Sequence, residues 1–196
     1  GLENASLAIS QSLRLDNLTF AAEGDDPDAM FSLGMFHLDQ RQPQPALEWL
    51  KKAAGKKHGE AIEALGEEYI SGSFGEPDFE EGAKWLKQAA SQGSLPAQTR
   101  LGSLALAGKL PGTKPAGAVR WFRSAAEKGY AEAQTRLGGL LWEGGVVKQD
   151  LKNGMMWMGK AADQRYAFAE ASLATMHAQG LLGDKPNYKE SAKWAR

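Results

Sequence analysis

Residues 131–162, AEAQTRLGGLLWEGGVVKQDLKNGMMWMGKAA, decide the fold, because the landmarks of this stretch return at a fixed interval along the chain. Trp157 belongs to the series Trp49, Trp85, Trp121, Trp157 and Trp194, spaced 36, 36, 36 and 37 residues apart. Leu137 belongs to a second series in phase with the first, Leu33, Leu65, Leu101, Leu137 and Leu173, and all but the last of these is followed by Gly. Four residues before each Leu stands an alanine: Ala29, Ala61, Ala97, Ala133 and Ala169. Alanine pairs follow four of the tryptophans (Ala53-Ala54, Ala89-Ala90, Ala125-Ala126, Ala161-Ala162), and Gly72, Gly108, Gly144 and Gly180 lie seven residues after their Leu. A fixed period in this range marks a repeat architecture, in which each unit is one supersecondary element that buries its apolar face only by stacking on its neighbours.

Each unit reads as two short helices joined by a Gly turn. Ala and the Leu-Gly pair leave one helix face with little bulk, so the axes can approach, and the Trp of the second helix is expected to fill the space beside them. Gly93 and Gly129 close two second helices with the left-handed conformation that ends a helix without strain. Asp78 and Asp150, seven residues before Trp85 and Trp157, are placed to cap the second helices.

These residues resemble the Sel1-like repeats, a branch of the tetratricopeptide-like solenoids. The resemblance rests on Ala131-Glu132-Ala133-Gln134, Leu137-Gly138, Gly144-Gly145-Val146, Asp150, Trp157 and Ala161-Ala162, and on five phased copies of that pattern. It implies an all-α chain, a right-handed α-solenoid of about five helix-turn-helix units over 27–58, 59–94, 95–130, 131–166 and 167–196, the last truncated. Residues 1–26 are expected to hold a degenerate capping helix, since Ala21-Ala22-Glu23-Gly24-Asp25 echoes the end of a unit without its Trp. The first unit is four residues shorter between Leu33 and Trp49 and carries Gln40 where the Gly belongs. Gly1 and Arg196 read as trimmed ends.

Composition excludes several function classes. Lys+Arg 23 against Asp+Glu 24 gives no positive field to gather nucleic acid, so nucleic acid is a poor candidate partner. With no cysteine there are no disulfides, thiol nucleophiles or cysteine-based metal sites. No apolar run reaches the ~18 residues of a membrane span. His37 and His177 occupy equivalent places in distant units and cannot converge on one metal. They and His58 read as structural, the sequons at Asn4 and Asn17 carry no weight, and neither a metal, a cofactor nor a catalytic set is expected.

As the resemblance implies, the first helix of each pair lines the concave surface. Relative to each Leu, the positions at minus five, minus two, plus two and plus six then face the groove. They supply the candidate partner-binding residues Asp28, Phe31, Met35, Glu60, Glu63, Glu67, Thr99, Ser103, Glu132, Thr135 and Glu143, with Phe168, Ala171, Thr175 and Gln179 in the last unit. Seven acids, Asp39 included, and no Lys or Arg occupy these columns, whereas those beside each Trp are mainly basic: Lys51, Lys84, Lys87, Arg120, Arg123, Lys193 and Arg196. One reading is an acidic groove with a basic outer surface, and the other is charge that merely solvates exposed helices. Arg100 and Arg136, one residue before their Leu, could reach the groove rim. Trp142, in an apolar column, is either core or a groove anchor, and core is expected; Met156 breaks a charged column with an exposed apolar group.

The function expected from the resemblance is a non-enzymatic scaffold that binds a partner protein or basic segment in its concave groove. An immunity or regulatory protein that blocks a secreted bacterial toxin or enzyme is the alternative, and an enzyme with an unrecognised site comes last. A monomer in the bacterial periplasm or outside the cell is favoured over a cytoplasmic location.

Overall fold

The computed structural model describes residues 15–181 and 187–194, and among them every regular element is helical. In chain order these are α1 (15–23), α2 (Pro27–Asp39), α3 (Pro43–Gly55), α4 (Gly59–Ser71), α5 (Phe79–Ser91), α6 (Leu95–Leu106), a 3₁₀ turn at Pro115–Gly117, α7 (Ala118–Glu127), α8 (Ala131–Glu143), α9 (Leu151–Asp163), α10 (Ala167–Ala178) and α11 (Tyr188–Trp194). They fall into two compact units, Gly1–Ala97 and Gln98–Arg196, with the division inside α6. In the first unit α2 packs on α3 and α4 on α5; in the second α8 packs on α9 and α10 on α11. Of the segment expected to form an N-terminal cap, residues 15–23 are helical with Ala22 buried, and 1–14 lie outside the described residues.

Within each hairpin the close approach is made at the glycine after the repeating Leu. A Cβ placed on Gly34 would meet Leu50 at 2.6 Å, on Gly66 Leu86 at 2.7 Å, on Gly102 Phe122 at 2.6 Å and on Gly138 Met158 at 2.7 Å. Gly82 and Gly154 answer from the second helix, each against a backbone oxygen of Gly66 or Gly138. These contacts correct the expectation about tryptophan. The space left by the small residues is filled by the residue after each Trp: Leu50, Leu86, Phe122 and Met158 are all buried. Trp49, Trp85, Trp121, Trp157 and Trp194 are only partly covered. Lys52 stands 4.0 Å from the Trp49 ring, Lys160 4.2 Å from Trp157, Arg120 5.2 Å from Trp121 and Lys193 4.9 Å from Trp194, while the ring nitrogens of Trp85 and Trp121 are buried. Part of the basic outer columns thus serves to roof the tryptophans.

The caps follow the sequence. Asp78 accepts from the Glu80 and Glu81 amides and Asp150 from that of Asn153, as their spacing before Trp85 and Trp157 predicts. Between one hairpin and the next, the residue before the N-cap is left-handed in every case: Asp25, Lys57, Gly93, Gly129 and Arg165 have φ of 76°, 64°, 99°, 90° and 64°. Glycine marks only two of these five turns. In the short first repeat Gln40 keeps an ordinary φ and Arg41 takes the left-handed conformation instead, at φ 57°. The lost residues are absorbed in a turn tight enough to start α3 at Pro43.

Candidate functional site

The N-cap positions of the first helices hold Asp26, His58, Ser94, Tyr130 and Tyr166. In the first unit, the residue two before the repeating Leu reaches the N-cap residue of the following repeat. The Phe31 ring stacks on His58 with centroids 4.9 Å apart, and the Ser94 hydroxyl bonds the Glu63 carboxylate. His58 Nδ1 accepts the Ala61 amide at 3.1 Å, so the ring carries its proton on Nε2, which faces Asp28 Oδ1 at 3.0 Å. His58 is therefore a helix cap and an inter-repeat contact, in keeping with the structural role expected of it. Asp28 and Glu60 are exposed, Glu67 is partly covered, and Met35 lines a shallow cavity with Leu38, Asp39 and Glu68.

In the second unit the same column behaves differently. Thr99 and Thr135 are 2% and 4% exposed, more buried than a groove-facing column predicts, although Thr135 still borders a cavity. The Thr135 hydroxyl is satisfied within its own helix, donating to the Ala131 carbonyl at 2.8 Å. Ser103, partly covered, donates to the Thr99 carbonyl. Ala171, in the last repeat, is exposed.

A cavity of about 420 Å³ opens beside Thr135, its walls formed by Leu106, Phe122, Glu132, Arg136, Gly139, Leu140, Glu143, Tyr166 and Phe168. A second, also about 420 Å³, adjoins it and is lined by Trp142, Glu143, Phe168, Ala171, Thr175, Met176 and Gln179. Glu143 and Phe168 belong to both walls. The sequence columns of repeats four and five are thus brought together: Glu132, Thr135, Gly139 and Glu143 with Phe168 in one cavity, and Phe168, Ala171, Thr175 and Gln179 in the other. Leu106, Phe122, Leu140 and Tyr166 escaped the sequence reading because they lie outside those columns. Tyr166 was detectable as an aromatic at an N-cap position, where Asp26, His58 and Ser94 supply hydrogen-bond acceptors. Trp142 is partly buried against the core of Met158, Leu173 and Met176 while its remaining face lines the second cavity.

Arg136 changes the electrostatics expected of the groove. It lines the first cavity, and its Nε and Nη2 donate to one oxygen of Glu132 at 2.9 and 2.8 Å. Glu132 is neutralised in place, whereas Glu143 is exposed and has no ion pair or hydrogen bond among the described residues. On the second-helix columns Lys51, Lys84, Lys87, Arg120, Arg123 and Lys193 are exposed, as is Met156; Arg196 lies outside the described residues. Two shifted ionisations lie away from the groove. Glu81, by hydrogen bond and charge, raises Lys84, and hydrogen bonds from Asn153 hold Asp150 below the usual carboxylate range.

Among the described residues no group of three or more His, Asp or Glu is arranged to hold a metal ion, and no helix is long and apolar enough to cross a membrane. What recurs is a helical hairpin in fixed register, with small residues at the crossing and a variable first-helix face. That is the plan of an α-helical repeat protein. The Sel1 repeat model matches residues 27–58, 59–94, 95–130, 131–166 and 167–196, and the chain belongs to the Sel1 repeat family, whose fold is typically a non-catalytic protein-interaction scaffold.

Solved structures agree with this assignment. The chain is similar to c5321, described as a protective antigen of uropathogenic Escherichia coli with the same repeat fold, at 31% identity and a TM-score of 0.78, covering 92% of this chain and 39% of that one. A Sel1 repeat protein from Oxalobacter formigenes aligns at 25% identity and a TM-score of 0.81, covering 93% and 74%. The immunity protein PA5088 of Pseudomonas aeruginosa shares the fold at 19% identity and a TM-score of 0.57, covering 92% and 70%. The chain spans well under half the length of c5321. No curated protein matches it.

Proposed function

We propose that this chain is a non-catalytic scaffold that holds a partner protein against its first helices. One observation carries the reading: side chains from α8 and α10, placed on one face by their register alone, line two adjoining cavities that share Glu143 and Phe168. Apolar concavities with a few polar groups at the rim are where proteins bind ligands and partner side chains. The second helices offer instead exposed cations, several of them engaged over tryptophans.

The test is to recover the partner by affinity capture with the full chain and map its footprint by hydrogen exchange. Protection of α4, α8 and α10 is expected; protection confined to α5, α7 and α9 would reject the reading. In the first unit, Glu60→Lys and Glu67→Lys are expected to weaken a basic partner and reduce the salt dependence of binding, since exposed charges act through a screened field.

A second reading is an immunity or regulatory protein. It is favoured by the shared fold of PA5088, a solved immunity protein, and demands a toxin encoded beside the gene whose activity falls when the two proteins are mixed. A neighbouring toxin left fully active by the purified chain would dismiss it.

A further inference from the structure

We infer that the double cavity of repeats four and five takes a partner segment in which an aromatic side chain stands beside an arginine or lysine. The inference rests on the scaffold reading and narrows it to one site and one chemistry.

Shape and lining argue for the aromatic. Leu106, Leu140, Tyr166 and Phe168 line the first cavity, with the buried Phe122 beneath, so its open wall presents ring and branched aliphatic surface. At about 420 Å³ it lies at the small end of binding pockets, with room for one large side chain and the backbone that carries it. Phe168 is the decisive residue. It is 68% exposed, and its column holds Asp28, Glu60, Pro96 and Glu132 in the other repeats. A phenylalanine left in water, at a position otherwise polar or small and on the wall between two cavities, is suited to stacking on an incoming ring.

Charge argues for the cation. Three side chains of full charge line the two cavities: Glu132, Arg136 and Glu143. Arg136 spends both of its contacts on Glu132, which leaves Glu143 as the unmatched charge. It lies on the same shared wall as Phe168. A cation entering beside the aromatic therefore meets an open carboxylate, while an acid would meet repulsion in a partly desolvated groove.

A phage library of random linear peptides, selected on the full-length chain, tests this directly, with affinities then measured by fluorescence polarisation. Recovered peptides should share an aromatic residue with Arg or Lys within a few positions. Phe168→Ala should weaken them by about tenfold or more, the behaviour of an interface anchor. Glu143→Lys, an exposed change whose folding is checked by circular dichroism, should abolish their binding, and selection on that variant should return acids at the cationic position. Peptides without the motif, peptides indifferent to both substitutions, or an empty selection would each overturn the inference. The scaffold reading is judged separately by the exchange footprint of the native partner: protection limited to the first helices of the first unit would uphold that reading and defeat this one.

Discussion

Phe122 lies directly over Gly102, with so little clearance that a single added methyl would stand 2.6 Å from the ring. The pair belongs to a column of glycine–apolar contacts, Gly34 with Leu50, Gly66 with Leu86 and Gly138 with Met158, that sets how closely the two helices of each hairpin approach.

From that contact, Gly102→Ala is expected to destabilise the protein. Alanine gains about 1 kcal/mol of helix propensity, and overpacking against an immobile ring costs about 1–3 kcal/mol. Phe122→Ala should cost about 3–5 kcal/mol by opening a cavity, whereas Trp121→Ala should cost roughly 1–2 kcal/mol, because only part of that side chain is removed from water. Urea denaturation of the three variants checks the order. A larger loss at Trp121 than at Phe122 would return the space-filling role to tryptophan.

The left-handed turns make a reciprocal pair of expectations. Lys57 adopts φ 64° where Gly93 has φ 99°. Lys57→Gly should stabilise the chain by about 0.5–1 kcal/mol, since the relief of the left-handed penalty exceeds the added freedom of the unfolded chain. Gly93→Ala should destabilise it by about 1 kcal/mol. Thermal midpoints moving in opposite directions are the expected result.

Glu170 occupies the column of Gln134 and is 8% exposed. Gln134 donates to the Ala126 carbonyl at 3.1 Å and accepts from Gln164 at 2.8 Å, so its amide fastens neighbouring repeats. Glu170 has instead one contact, Arg165 Nε at 3.5 Å, too long for a good hydrogen bond. Glu170→Gln should therefore stabilise the last repeat by about 1 kcal/mol, through loss of a buried charge and gain of an amide donor like that of Gln134. Equilibrium unfolding at neutral pH measures it, and a destabilised variant would show that the carboxylate is better served than its geometry indicates.

Acid should weaken the cap of α9. Asp150 is held below the ordinary carboxylate range by hydrogen bonds from the amide and side chain of Asn153. A carboxylate with a depressed folded-state pKa contributes stability that is fully present above its unfolded value, about 3.9, and is lost as pH falls through the folded value. Asp150→Asn should flatten that limb of the stability profile while leaving the profile near neutrality parallel to that of the parent chain.

The repeat was legible from residue spacing because the architecture imposes it: each hairpin closes on the same small residues, so Ala, Leu-Gly and the Trp series recur in phase, and cap positions such as Asp78 and Asp150 follow from them. Register also told which residues share the first-helix face, since a helix fixes direction along its own axis. Distance between helices was not contained in that register. Only packing decided that Phe122 fills the crossing while Trp121 is partly covered beside it, that Thr99 and Thr135 are buried, that Lys57 and Arg165 take the turns glycine holds elsewhere, and that Arg136 folds onto Glu132. Each of these outcomes is settled by which side chain meets which across a gap of a few ångströms, and a one-dimensional period carries no such measure.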